Sequence, residues 1–309
     1  MSETEDVMKL VAPGAVLAQI AASIPADCRE NLIIIGSLAA GYHFFGNNNA
    51  LMVRTKDADC LLSPRIDAIP AGIAITERLF QENWHYRPSE EWPTPGNAAT
   101  KDKDLPAVRL NPPGNTDWFI ELITVPESPA DRGQRWIRLE TSAGHFGLCS
   151  FGFLSLVNYE PIHTPLGIYV AQPQMMALAN LLEHPEIRPE TMSGLIAGRE
   201  IKRSNKDLGR VLAIARLSIA QNEDALLKWA ALWQPALQAR FPSDWRDLAL
   251  RADTGLRKLL DNPNDLDEAR HTCEFGLLSS QPPNADQLRI VGQRLLLDAI
   301  EPLKERAKR

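Results

Sequence analysis

Asn31-Leu32-Ile33-Ile34-Ile35-Gly36-Ser37-Leu38-Ala39-Ala40-Gly41-Tyr42 decides how the chain is read. Residues 31–35 are a compact β-branched run of strand length, and Gly36-Ser37 follows at once. SLAAGYHFF then has helical character, with Ser37 placed as its N-cap. A strand that ends in Gly-Ser and opens a helix turns backbone N–H groups and a hydroxyl toward an anion. Glycine lets the main chain approach that anion closely. The expectation is a phosphate turn at Gly36 and Ser37.

The second decisive stretch is residues 52–62, MVRTKDADCLL, read as one strand stopped by Pro64. Asp57 and Asp59 stand at i and i+2, so their side chains share a face. Two carboxylates side by side repel unless a cation compensates them. Ala58, Cys60, Leu61 and Leu62 are core-like and anchor the strand. Such a pair suits a hard, oxygen-preferring Mg²⁺ (or Mn²⁺) that shares its shell with substrate phosphates. Glu121 supplies a third carboxylate, because it interrupts the otherwise apolar strand Trp118-Phe119-Ile120-Glu121-Leu122-Ile123-Thr124. A lone carboxylate there needs a partner, either the shared metal or an arginine such as Arg109 on the neighbouring strand. Arg54 and Lys56 flank the Asp pair and would neutralise a triphosphate. Together these parts serve phosphoryl or nucleotidyl transfer.

The rest of the chain bounds the setting. Its 309 residues suggest two domains. With 44% apolar and 23% charged residues it reads as an ordinary globular protein. A net charge of −6 argues against extended nucleic-acid binding, which leaves a basic footprint. The four cysteines show no CxxC spacing, and the six histidines no ligand spacing, so zinc and disulfide frameworks are not expected. No run is long enough for a membrane span, and MSETEDVMKL lacks the basic and apolar regions of a secretory signal. A cytoplasmic protein is expected.

Residues 1–171 read as an α+β unit: a helix over 14–24, a helix over 68–83, strands at 84–87, 107–110 and 118–125, and further β structure over 145–170. Residues 88–106 hold four prolines and read as a long loop. Residues 172–309 read as helical, with helices over 173–184, 190–200, 204–221, 223–240, 244–261, 264–277 and 285–305. Ser204 is placed as an N-cap before the stripe Leu208, Val211, Leu212, Ala215 and Ile219. Leu288, Val291, Leu295 and Ala299 form a second stripe. Trp229, Trp233 and Trp245 read as helical core.

Gly36-Ser37, a helix, Asp57-x-Asp59 and a distant acidic residue in an apolar strand resemble the polymerase-β-like nucleotidyltransferase superfamily. The context of both motifs looks like its minimal and AbiEii-like, toxin-type members. The resemblance covers roughly residues 30–215. It implies a nucleotidyltransferase-fold mixed sheet with flanking helices, followed by an all-α C-terminal domain, with an NTP in the cleft between them. It implies that Asp57, Asp59 and Glu121 ligate Mg²⁺, and that Gly36 and Ser37 hold the NTP phosphates. Relatives carry a Lys/Arg-Asp motif on a helix after the sheet, which Lys206-Asp207 resembles; a solvated helix start is the plain alternative. Where relatives have a His-Lys pair on the preceding helix, this chain has Ala179-Asn180. The implied partners are an NTP, an acceptor that is RNA (a tRNA end included), protein or small molecule, and an antitoxin or operon partner, with no membrane. Competing readings are an NTP-binding regulatory module without turnover, a metal-dependent nuclease or phosphohydrolase, and a scaffold.

Overall fold

The computed structural model describes residues 9–46, 48, 51–191 and 193–309. The chain divides into two compact units. One holds residues 11–50 and 55–172 and is built on a sheet; the other holds residues 9–10, 51–54 and 173–309 and is mainly helical.

The sheet is mixed and nine-stranded. Its main path runs Ile162–His163, Tyr169–Val170, Leu32–Ile34, Asp57–Leu62, Phe119–Thr124, Arg109–Asn111, His85–Tyr86. Leu32–Ile34 pairs antiparallel with Asp57–Leu62, and Asp57–Leu62 pairs parallel with Phe119–Thr124. The far end of Phe119–Thr124 leaves Arg109–Asn111 and joins Gly144–Ser150 instead, with Ile123 opposite Cys149. Gly144–Ser150 in turn makes a long hairpin with Arg135–Thr141. The expected antiparallel pair at 107–110 and 118–125 is present, with strands at Arg109–Asn111, which takes in Asn111 from the expected turn, and Phe119–Thr124.

Side-chain alternation separates a core face from a site face. Ala58, Cys60 and Leu62, with Ile120 and Leu122 beside them, are buried on one face. The helix Arg65–Gln81 packs there, its Gly72 lying against Leu62 and Leu139. Trp84 and Trp118, both buried, meet edge to face with ring centroids 5.6 Å apart. On the other face Leu61 and Ile123 are buried near the strand ends, whereas Asp57, Asp59 and Glu121 are only half-buried near the strand starts.

The expected single strand over 52–62 is two. Val53–Arg54 belongs to the helical unit, where Arg54 donates its N–H to the Gly276 carbonyl and holds its guanidinium 5.6 Å from the Phe275 ring centre. Asp57–Leu62 belongs to the sheet. The break follows from Thr55, whose hydroxyl donates both to the Asp57 carbonyl (3.1 Å) and to its carboxylate (2.8 Å). A local side-chain bond of this kind diverts the backbone from a continuous ladder.

In the helical unit the expected helix over 190–200 is a hairpin, Ser193–Ile196 with Arg199–Lys202. Ala197 and Gly198 both have positive φ (48° and 76°), the geometry of a tight two-residue turn. Ser204 is not a cap: the helix Arg203–Gln221 starts directly from that hairpin, Lys202 is its cap residue, and Ser204 is buried inside. Ser37 is not a cap either, since the helix Gly36–Phe45 begins one residue earlier, after Ile35. Residues 244–261 form two helices, Trp245–Arg251 and Thr254–Asp261, parted at Ala252-Asp253. The C-terminal stretch is Ala285–Leu295, a π-helical turn at Leu296–Ile300, and Glu301–Lys308. The stripe Leu288, Val291, Leu295 and Ala299 is buried, as are Leu208, Val211, Leu212 and Ala215. Trp229 and Trp233 are fully enclosed core residues. No described helix is long and apolar enough to cross a membrane.

Candidate functional site

The sheet registers three residues in one row across three adjacent strands. Asp59 lies opposite Glu121, and Glu121 lies opposite Arg109. Paired residues on neighbouring strands point to the same face, with Cβ atoms about 5 Å apart. Asp57 lies opposite Phe119 one row earlier, on the same face because the side-chain period is two.

Gly36 closes the other side. Ile35 donates its N–H to the Asp59 carbonyl at 2.9 Å, so the chain leaves the sheet directly beside Asp59. Gly36 then adopts φ +74°, and a Cβ placed on it would stand 2.8 Å from Asp59 Oδ2. The main chain of the turn and the Asp59 carboxylate share a space that only glycine leaves open. Gly36→Ala is expected to lower stability by about 1–2 kcal/mol through the left-handed backbone alone. It also pushes on Asp59. Thermal melts, and Mn²⁺ binding followed by calorimetry, check both effects: a lower Tm and weaker metal binding.

Charge on this face is balanced by Arg109, which the sequence offered as a rival partner for Glu121. Its Nε donates to Glu121 Oε2 at 2.8 Å. Burial works against the Arg109 charge, but Glu121, then Asp57 and Asp59, outweigh it and push its pKa above the usual arginine value. Cys60, behind the row, is buried, and burial, Asp59 and Glu121 all raise its thiol pKa, so it is an inert core residue.

Asp57 and Asp59 offer only oxygen ligands on one face, which fits Mg²⁺ or Mn²⁺ with substrate phosphates completing the shell. Among the described residues no group of three His, Cys, Asp or Glu is placed to hold a metal together, and Glu121 faces Arg109.

The structure brings Gly36, Ser37, Lys56, Asp57, Asp59 and Glu121 into the sheet unit. Arg54, Lys206 and Asp207 fall in the helical unit, Arg54 fixed there as described. Asp207 is buried, with Arg203 Nε at 3.9 Å and Arg210 Nη1 at 4.0 Å. Burial raises its pKa against the pull of Arg210, Arg203, Lys206 and Arg188. A carboxyl whose folded pKa exceeds its unfolded one costs stability above that folded pKa. Asp207→Asn is therefore expected to raise Tm at neutral pH, and the gain should shrink as the pH falls and the wild-type carboxyl takes up its proton. Melts of both proteins across that range decide it.

Three contributors were missed in the sequence. Thr55 orients Asp57, and its only signal is its place two residues upstream. Phe119 and Arg87 flank the row, with the Arg87 guanidinium 4.6 Å from the Phe119 ring centre. No pattern in residues 84–87 marks that contact.

Comparison of the chain with protein-family models, with curated proteins and with solved structures gives no match.

Proposed function

We propose that the chain is a Mg²⁺-dependent nucleotidyltransferase that moves NMP from an NTP to an acceptor hydroxyl. One observation carries the reading: the Gly36 main chain stands against the carboxylate of Asp59, in the same sheet row as Glu121 and beside Asp57. A phosphate-binding turn next to paired carboxylates is what transfer of a phosphorus group requires.

Asp57 and Asp59 would hold the cation, which when bound supplies charge neutralisation on the NTP phosphates and polarises the reacting phosphorus. Thr55 keeps Asp57 in position through its 2.8 Å bond. The N–H groups at Gly36 and Ser37, with the Ser37 hydroxyl, bind the β- and γ-phosphates. Lys56 contributes positive charge next to the pair. Glu121 orients the acceptor hydroxyl and takes its proton, which requires release from Arg109. Lys206 and Asp207 are assigned to nucleotide binding by the resemblance.

The Glu121–Arg109 bond also favours a second reading, an NTP-binding module without turnover, because it occupies the group that would serve as base. Incubation with Mg²⁺, each α-³²P-NTP and separated RNA, protein and small-molecule fractions of a cell extract distinguishes the two. Label entering one fraction with wild type, and not with Asp57→Asn/Asp59→Asn, supports transfer. Mg²⁺-dependent NTP binding with no labelled fraction supports the module. A toxin role belongs to the same proposal and is read from growth arrest on expression, lost in the double variant.

A further inference from the structure

The sheet lays out its charged groups in sequence. The Gly36 turn follows the Leu32–Ile34 strand; next come Asp57 and Asp59, then Phe119 and Glu121, then Arg109, and last Arg87 just beyond His85–Tyr86. The Gly36 turn and the two arginines thus stand on opposite sides of the carboxylates. The second group is organised around one ring. Phe119 is buried, the Arg87 guanidinium lies 4.6 Å from its centre and the Arg109 guanidinium 6.0 Å. The two arginines are tied through the backbone, Arg87 N–H donating to the Arg109 carbonyl at 2.8 Å. Arg87 Nη1 reaches the Thr116 carbonyl at 3.5 Å, at the limit of a hydrogen bond.

We propose that Arg87 and Arg109, held against Phe119, bind a phosphate group carried by the acceptor. The acceptor role rests on the nucleotidyltransferase reading; the phosphate site itself does not. Arg109 is held by Glu121 through its Nε at 2.8 Å, which leaves the terminal nitrogens of its guanidinium, with those of Arg87 across the same ring, to take an anion. The Phe119 ring lies against the Arg87 guanidinium and the Glu121 bond holds that of Arg109, and a planar fork held in place suits bidentate phosphate recognition. The position fits as well. The Gly36 turn is on the far side of the Asp pair, so the nucleotide tail and the acceptor phosphate occupy opposite flanks, and Glu121 lies between the Asp pair and the arginines, where the attacking hydroxyl is needed. The net charge of −6 disfavours a long nucleic-acid track, whereas two arginines give a contact with one or two phosphates. The three carboxylates oppose such an anion, so it binds more tightly when their charge is compensated.

The test is fluorescence anisotropy with a short fluorescein-labelled single-stranded RNA, first in EDTA and then in Mg²⁺, with AMP and adenosine as competitors. Arg87→Gln and Arg109→Gln are each expected to weaken binding about tenfold and to reduce the salt slope by roughly 0.7 per phosphate lost. Arg109→Lys should fall between, keeping the charge and losing the fork. Asp57→Asn/Asp59→Asn should bind at least as tightly as wild type in EDTA, even if it transfers nothing, which separates this site from the catalytic reading. Displacement by AMP but not adenosine identifies a single phosphate as sufficient; displacement by neither identifies the strand backbone. Unchanged affinity in folded Arg87→Gln and Arg109→Gln, displacement by adenosine as well as by AMP, or no RNA binding by wild type in Mg²⁺ overturns the proposal.

Discussion

Asp57→Asn/Asp59→Asn is expected to lower nucleotidyl transfer at least about a thousandfold, on the order of 4 kcal/mol of barrier, while leaving the protein folded. Both carboxylates point from one strand to one face, and the Arg109 charge is held up in part by them. Replacing them with neutral isosteres removes the proposed cation site and, with it, the charge compensation proposed for the NTP. Stability should hold, because removing two like charges a strand period apart relieves repulsion and the core face, Ala58, Cys60 and Leu62, is untouched. A Tm within a few degrees of wild type, together with loss of Mn²⁺ binding by calorimetry, is the expected combination. Loss of transfer through unfolding would show as a collapsed Tm, and retained transfer with both changes in place would remove these residues from the chemistry.

Asp253→Ala is expected to cost about 2–3 kcal/mol of stability, less than a fully buried pair would because its partners are partly exposed. Asp253 sits at the break before Thr254–Asp261, and its carboxylate accepts from Arg257 Nε at 2.7 Å and from Lys304 Nζ at 2.5 Å. Its side chain is 9% exposed and that of Lys304 18%, so deletion strands a partly buried ammonium. Arg257 also bonds Glu301, which draws the helix Glu301–Lys308 into the same network. Burial by itself would raise the Asp253 pKa, but the bonds from Arg257 and Lys304 reverse that and hold it below the ordinary carboxylate value. A depressed folded pKa contributes stability that is present above the unfolded pKa near 3.8 and lost as the pH falls through the folded value. Asp253→Asn should therefore be clearly less stable than wild type at pH 7, with the difference closing in acid, below the ordinary carboxylate range. Urea titrations at pH 7 and in acid check the cost and its direction.

What the amino-acid sequence disclosed of the sheet unit was local: a β-branched run meeting Gly36-Ser37, and the i, i+2 spacing of Asp57 and Asp59. These depend on neighbouring residues, and turn and strand preferences report on neighbours. The row Asp59–Glu121–Arg109 depends on strand order and register, which join residues far apart in the chain, so Glu121 had two equally legible partners. The structure shows the arginine one. Arg54 was misplaced because the apolar spacing of residues 52–62 is compatible with one strand, and the Thr55 side-chain bond that splits it leaves no periodic trace. Residues 190–200 read as helix, whereas the positive-φ pair Ala197-Gly198 sets a hairpin. The long helices of the C-terminal unit were legible because their stripes span several turns, and their breaks were not, because those follow single side chains such as Asp253.

The central claim is that the α-phosphorus of an NTP moves to an acceptor. Parallel reactions with Mg²⁺ and the responsive fraction, one with α-labelled and one with γ-labelled NTP, test it most directly. Label is expected on the acceptor from the α position only, with the γ label leaving as pyrophosphate. Label delivered from the γ position, or from neither position while the NTP still binds, would contradict it.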